Sequence, residues 1–143
     1  MSRLEFGVLL PRDYAAAVAL WNYCPGVRAN ETIAEFDRVL ARNPGLSPVA
    51  RLDGEIIGAV FCCHDGRRGY LYHLGVAAEQ RGLGIAKELV ARCLQGLQRQ
   101  GIARCSIHLI VDNERGEAFW KQIGWQLRTD LKVMAIDLSR EPE

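Results

Sequence analysis

Between Gln80 and Lys87 the chain reads Gln-Arg-Gly-Leu-Gly-Ile-Ala-Lys, directly after the apolar run Tyr70–Val76 and directly before an amphipathic stretch. A strand that breaks into a glycine-bearing turn and then opens a helix leaves backbone N–H groups without intrahelical partners. The helix dipole favours negative charge at the same end, so the arrangement suits a phosphate or pyrophosphate. Two familiar glycine loops do not fit. A Walker A loop needs G-x-x-x-x-G-K-[ST], which is absent, and a dinucleotide fingerprint needs G-x-G-x-x-G, whereas Gly82-Leu83-Gly84 is followed by Lys87 at the third glycine position. What the stretch does satisfy, over Arg81-Gly82-Leu83-Gly84-Ile85-Ala86, is the pattern R/Q-x-x-G-x-G/A.

The other side chains able to do chemistry are sparse. His73 and His108 are each candidates for proton transfer near neutral pH, though a lone histidine is a weak signal beside the ordinary reading of a satisfied sheet histidine. Cys24 has no paired base and reads as inert. His64 beside Cys62-Cys63 lacks a fourth ligand at suitable spacing, so no metal is expected. Trp21, Trp120 and Trp125 read as packing residues, and Arg67-Arg68 as a solvated turn.

The elements that must position these groups follow from periodicity and turn signals. Leu4–Leu10 reads as a first strand, with Asp13 as N-cap of a helix from Tyr14 whose inward positions are Ala15, Val18, Ala19 and Trp21. A second helix runs from about Thr32 to Arg42, with Ile33, Phe36, Val39 and Leu40 on one face. The irregular loop Asn22–Asn30 between them is the kind of segment that holds specificity determinants. The Asp53-Gly54 pair predicts a tight hairpin, and a further turn at Asp65–Gly69 leads into Tyr70–Val76, giving an antiparallel meander. Helix 84–100 carries Ile85, Leu89, Val90, Cys93, Leu94 and Leu97 as one apolar stripe. Cys105–Val111 reads as a buried strand with Ile107, Leu109 and Val111 on one side and His108 and Ile110 on the other, parallel to the strand before the crossover. A shorter helix over Asn113–Ile123, with Ala118, Phe119 and Ile123 inward, precedes a final hairpin of Trp125–Arg128 and Lys132–Leu138. The order is β-α-α-β-β-β-α-β-α-β-β, an α/β mixed fold.

Bulk properties exclude several classes of function. The chain's 143 residues suit one domain over 1–143, and 49% hydrophobic with 24% charged residues is ordinary for a globular protein. A formal net charge of +1 with dispersed charges points to neither nucleic acid nor a membrane surface. No apolar run approaches the roughly 18 residues of a membrane span, and the N-terminus has too short an apolar core for a signal peptide. Five cysteines, odd in number and without C-x-x-C, read as small buried hydrophobes of a reducing compartment, so a cytoplasmic protein is expected.

YLYHLGVAAEQRGLGIAKELVARCL, followed about twenty residues later by IVDNERGEAFWKQIGW, resembles the two halves of the acyl-CoA site of GNAT-superfamily N-acetyltransferases, most of all the small bacterial YpeA-like branch. The resemblance covers essentially the whole chain. It implies a central, mostly antiparallel twisted sheet of six to seven strands, with one parallel β-α-β pair splayed at a bulge and four helices on both faces. It also implies acetyl-CoA as acyl donor, without a metal, and transfer to a primary amine of a small molecule or peptide by direct attack through a tetrahedral intermediate. Carried over by position, Leu74, Gly75 and Val76 would hold the pantetheine arm, with Gly75 at the bulge and the Val76 amide as oxyanion contact. The amides of Arg81, Gly82, Leu83, Gly84, Ile85 and Ala86 would meet the pyrophosphate, while Asn113 and Phe119 would contact the cofactor arm.

The pattern departs from the family at the proton-transfer positions. Where many members have a tyrosine acid this chain has Trp120, which has no acidic O–H; glutamate positions used by relatives as base hold His108 and Tyr70. His108 and His73 are therefore the candidate bases, acting directly or through water. A non-catalytic acyl-CoA-binding module or regulatory subunit is the alternative reading, and a homodimer through the apolar C-terminal strand is conceivable.

Overall fold

A computed structural model describes residues 2–139. Its order is β1 (Leu4–Val8), α1 (Tyr14–Tyr23), α2 (Ile33–Arg42), β2 (Pro48–Leu52), β3 (Glu55–His64), β4 (Gly69–Val76), α3 (Ile85–Arg99), β5 (Cys105–Ile107) and α4 (Glu114–Gln122), with short 3-10 turns at Pro11–Asp13 and Ala78–Gln80. The strands lie in chain order in one sheet, β1 to β4 antiparallel and β4 parallel to β5. The Asp53-Gly54 hairpin forms as expected, both residues taking positive φ.

Both faces of the sheet are covered, which is why β3 reads as an unbroken apolar run instead of an alternating one. Ala59 and Phe61 face α1 and α2, packing with Ala17, Trp21 and Phe36. Val60 and Cys62 face the other way, against Leu89, Val90, Cys93 and Leu97 of α3 and Trp120 of α4. Among the described residues no helix is long and apolar enough to cross a membrane.

Several expectations are corrected. The sheet has five strands, not six to seven: 125–128 and 132–138 form no hairpin, and Leu131, Val133, Met134, Ile136 and Leu138 are exposed. β5 stops at Ile107 instead of Val111, which offers three residues of edge, too little for a further strand to ladder onto, and a lone hairpin is marginal in water. In α1 the inward positions are Tyr14, Ala17, Val18 and Trp21, at true helical spacing, while Ala15 and Ala19 face solvent. Ile33 is exposed, and in α4 Trp120, not Ala118, is the buried centre.

Asp13 does not cap α1 through its side chain. It is buried, accepts the Leu10 N–H at 2.9 Å, and takes a bidentate pair from Arg51 at 3.1 and 2.7 Å, tying the start of α1 to β2. Burial alone would raise this carboxyl, but the Arg51 guanidinium and the Leu10 amide outweigh it and hold it below the usual carboxylate range. A carboxyl whose folded-state pKa is depressed contributes its stability above the unfolded value of about 4 and loses it as pH falls toward the lower native value. Asp13→Ala, which strands Arg51, should lower the unfolding free energy at pH 7 by about 3 kcal/mol in urea denaturation and remove part of the acid-dependent loss seen in the unsubstituted protein.

Candidate active site

The parallel pairing of β4 with β5 lasts for three positions, Gly69 with Cys105, Tyr70 with Ser106 and Leu71 with Ile107, and then ends. Beyond it the strands part around a cavity of about 620 Å³. Leu74, Gly75 and Val76 line it from β4 and Ile107–Ile110 from the end of β5 and the chain beyond it, joined by the loop Cys24–Arg28, the α3 N-terminus and the stretch from Asn113 to Trp120.

The expected bulge is present but displaced. Ala59 pairs with Gly75 and Phe61 with Tyr72, so His73 and Leu74 together oppose the single residue Val60. His73 adopts φ 60°, a left-handed conformation rare outside glycine. Gly75 is required for a different reason: a Cβ there would come within 2.8 Å of Cys24 Sγ and 3.1 Å of Trp21 Cδ1. Past the bulge, Ala77 N–H donates to Ile57 O at 2.8 Å, and strand alternation therefore turns the N–H and C=O of Val76 away from β3. Its carbonyl is held on that side by Arg81 Nε at 3.1 Å and Cys24 Sγ at 3.6 Å.

At the start of α3 the first intrahelical bond runs from Glu88 N–H to Gly84 O, so the amides of Ile85, Ala86 and Lys87 have no helical acceptor. Gly84 is the N-cap and supplies no side chain to satisfy them. Gly82 and Gly84 hold φ of +80° and +82°, which opens this turn toward the cavity. Arg81, Gly82, Gly84, Ile85 and Ala86 line it as expected; Leu83 does not, its side chain being exposed. Arg28, Lys87 and Arg115 add positive charge that the sequence reading did not assign, and among the described residues none that lines the cavity is acidic.

Asn113 caps α4 by accepting the Gly116 N–H at 2.9 Å, and its amide also lies against Gly26, where a Cβ would come within 2.5 Å of Nδ2. Phe119 lines the cavity and meets Trp120 edge to face; Trp120 in turn packs against Trp125 at 4.6 Å between ring centroids. This cluster makes Trp120 a core residue at the cavity wall.

Both candidate histidines reach the same cavity. His108 is exposed, its ring edge-on to Tyr72 at 6.2 Å. His73 is enclosed, flanked by the rings of Trp21 and Phe61, and its Nε2 lies 2.5 Å from Oε1 of Glu31. Glu31 was not legible from sequence: it belongs to no motif and meets His73 only through the fold. Burial raises the Tyr72 phenol above its ordinary value, with a further push from Cys63, so Tyr72 stays neutral. Burial pushes the thiols of Cys63 and Cys105 up to about 11 and about 12. His64 is occupied elsewhere, receiving the Gly66 N–H and facing Gln100 at 2.6 Å.

Residues 14–125 match the sequence model of the acetyltransferase (GNAT) family. An acetyltransferase of Pectobacterium atrosepticum is 33% identical over 126 residues, covering 86% of this chain and 88% of that protein. Another, of Sodalis glossinidius, is 27% identical over 141 residues, covering 98% and 99%. The PaiA N-acetyltransferase of Thermoplasma acidophilum, solved in complex with coenzyme A, superposes with a TM-score of 0.76 at 17% identity, over 88% of this chain and 91% of that one, a likeness of fold. The splayed strands, the unbonded amides at the α3 N-terminus and this family match agree, and the chain belongs to the acetyltransferase (GNAT) family.

Proposed function

We propose that the protein transfers an acetyl group from acetyl-CoA to a primary amine of a small molecule or peptide, the amine attacking the thioester carbonyl directly. The observation that carries this reading is one cavity into which both the α3 amides and the unpaired half of β4 open. The residues fit the donor: the amides from Gly82 to Ala86, beside Arg81, Lys87 and Arg115, suit a pyrophosphate, and Gly82 and Gly84 leave that approach free of Cβ atoms. Leu74, Gly75 and Val76 offer a backbone edge for the pantetheine arm, with Asn113 and Phe119 opposite.

The chemistry asks little of the side chains. The acceptor ammonium must lose a proton, which His73 or His108 takes, and the Val76 N–H, turned away from β3, supplies an oxyanion contact. A thiolate of ordinary pKa, about 8.5, leaves near neutral pH without a strong acid, so Trp120 in place of a tyrosine is compatible with turnover. The lining holds four cations and no carboxylate, which favours deprotonation of an acceptor ammonium once it is inside.

Gly84→Val should weaken CoA binding at least tenfold by calorimetry, because a β-branched residue resists the left-handed conformation and would withdraw the loop amides. An unchanged affinity would remove the assignment of this loop. Incubation with acetyl-CoA and a panel of amines should release thiol with at least one acceptor; tight CoA binding with no acceptor consumed would instead indicate the non-catalytic module. With a working acceptor, His73→Ala or His108→Ala should lower kcat/KM by about a hundredfold and alter the acid limb of its pH profile. A profile unchanged in both variants would exclude an imidazole base.

A further inference from the structure

Two histidines reach the cavity, but only His73 is held by a carboxylate. The loop between α1 and α2 is fixed at several points: Asn22 and Ala29 exchange side chain-to-backbone hydrogen bonds at 3.0 and 2.9 Å, and Tyr14 Oη donates to the Glu31 carbonyl at 2.6 Å. Immediately after it, Thr32 and Glu35 form a reciprocal capping box at the start of α2. Glu31 is thereby fixed on both sides. Its Oε1 meets His73 Nε2 at 2.5 Å, while Oε2 is buried without a partner among the described residues. Glu31 itself is not on the cavity wall, so it lies behind the imidazole and His73 is the member of the pair that faces the substrate space.

Resting on the acetyl-transfer reading, we propose that Glu31 is the positioning residue of a Glu31–His73 dyad in which His73, not His108, is the base. With Nε2 donating to the carboxylate, neutral His73 carries its proton on Nε2 and presents the lone pair of Nδ1. Nδ1 takes a proton from the acceptor ammonium, directly or through water, as the amine nitrogen becomes free to bond to the acetyl carbon. The imidazolium so formed is stabilised by Glu31, and no proton passes to the carboxylate. The backbone conformation agrees: a non-glycine residue at φ 60° costs energy, and here the strain lies at the bulge that brings the ring between Trp21, Phe61 and Glu31. Burial acts to raise the Glu31 carboxyl, but the hydrogen bond and attraction from His73 prevail and keep it below its ordinary range, hence ionised at neutral pH.

Of the groups packed on the ring, Trp21 from α1 and Phe61 from β3 are uncharged, and Glu31 is the ionisable one bonded to it. The other titratable side chains of the cavity lining are Cys24, Arg28, Tyr72, Arg81, Lys87, His108 and Arg115. Replacing the carboxylate by an amide removes the charge that fixes the ring proton on Nε2 and stabilises the imidazolium.

The test compares the full chain with Glu31→Gln and Glu31→Asp. Glu31→Gln should reduce kcat at least tenfold with CoA affinity unchanged, and Glu31→Asp should recover part of the loss. Nitrogen NMR of the free protein should show His73 as the Nε2–H tautomer, a preference weakened in Glu31→Gln and kept in Glu31→Asp. A kcat unchanged in Glu31→Gln, or a tautomer preference indifferent to the substitution, would overturn the dyad. The NMR measurement needs no acceptor, so a protein that acetylates no amine would count against the acetyl-transfer reading while the dyad is still judged by its own tautomer.

Discussion

The site depends on β4 being paired on both edges at its first three residues and on one edge alone for the rest. Its first three residues are held on both edges, by β3 and β5, which fixes the strand in the sheet. Its second half keeps β3 but loses β5, so a row of main-chain groups faces a cavity instead of a neighbour. A buried backbone edge without a partner is costly, and a fold that retains one supplies a ligand with something to bond. The two-for-one bulge at His73-Leu74 lies within this change of role and re-aims the chain between the paired and unpaired halves.

Packing then sets what surrounds that edge. Trp21 is the hinge of the arrangement: fully buried, it donates Nε1–H to Ala59 O at 3.1 Å, contacts Phe36 and Phe61, flanks His73 and leaves no space for a side chain at Gly75. Removing it would disturb the α1 core and the β4 edge at the cavity together. The charge distribution is equally divided by position. Cations line the cavity, whereas Glu31 stands behind His73, so negative charge acts on one imidazole without drawing an ammonium into a carboxylate trap.

How much was legible in the sequence follows the range of each interaction. The turn at Arg81–Ala86 was legible because its conformation is local, glycines at positive φ opening a helix whose own first amides have no helical acceptor. Asn113 and Phe119 came from a second motif and reach the same cavity. The bulge was expected one register too far along, at Gly75, because glycine marks either a bulge or a close contact and only the packing of Trp21 and Cys24 distinguishes the two. Asp13 has the residue type of a helix cap, yet a guanidinium on β2 claims it. Glu31 and His73 are 42 residues apart, and no periodicity links them. The final hairpin expected over Trp125–Arg128 and Lys132–Leu138 also needs an edge to join, which three residues of β5 do not provide.

The α3 turn presents main-chain amides to the cavity, whereas the loop from Cys24 to Glu31 presents side chains to the cavity and to His73. That difference separates two kinds of evolutionary freedom. The Leu83 side chain is exposed and off the cavity wall, so on the acetyl-transfer reading its replacement leaves the donor half of the site in place. In the α1–α2 loop each replacement changes the surface an acceptor meets, and the loop's anchors at Asn22, Ala29 and Tyr14 let its other positions vary without unfolding it. On the acetyl-transfer reading, one chain thus combines a donor socket made of main chain with an acceptor socket made of side chains, and the second can change without the first.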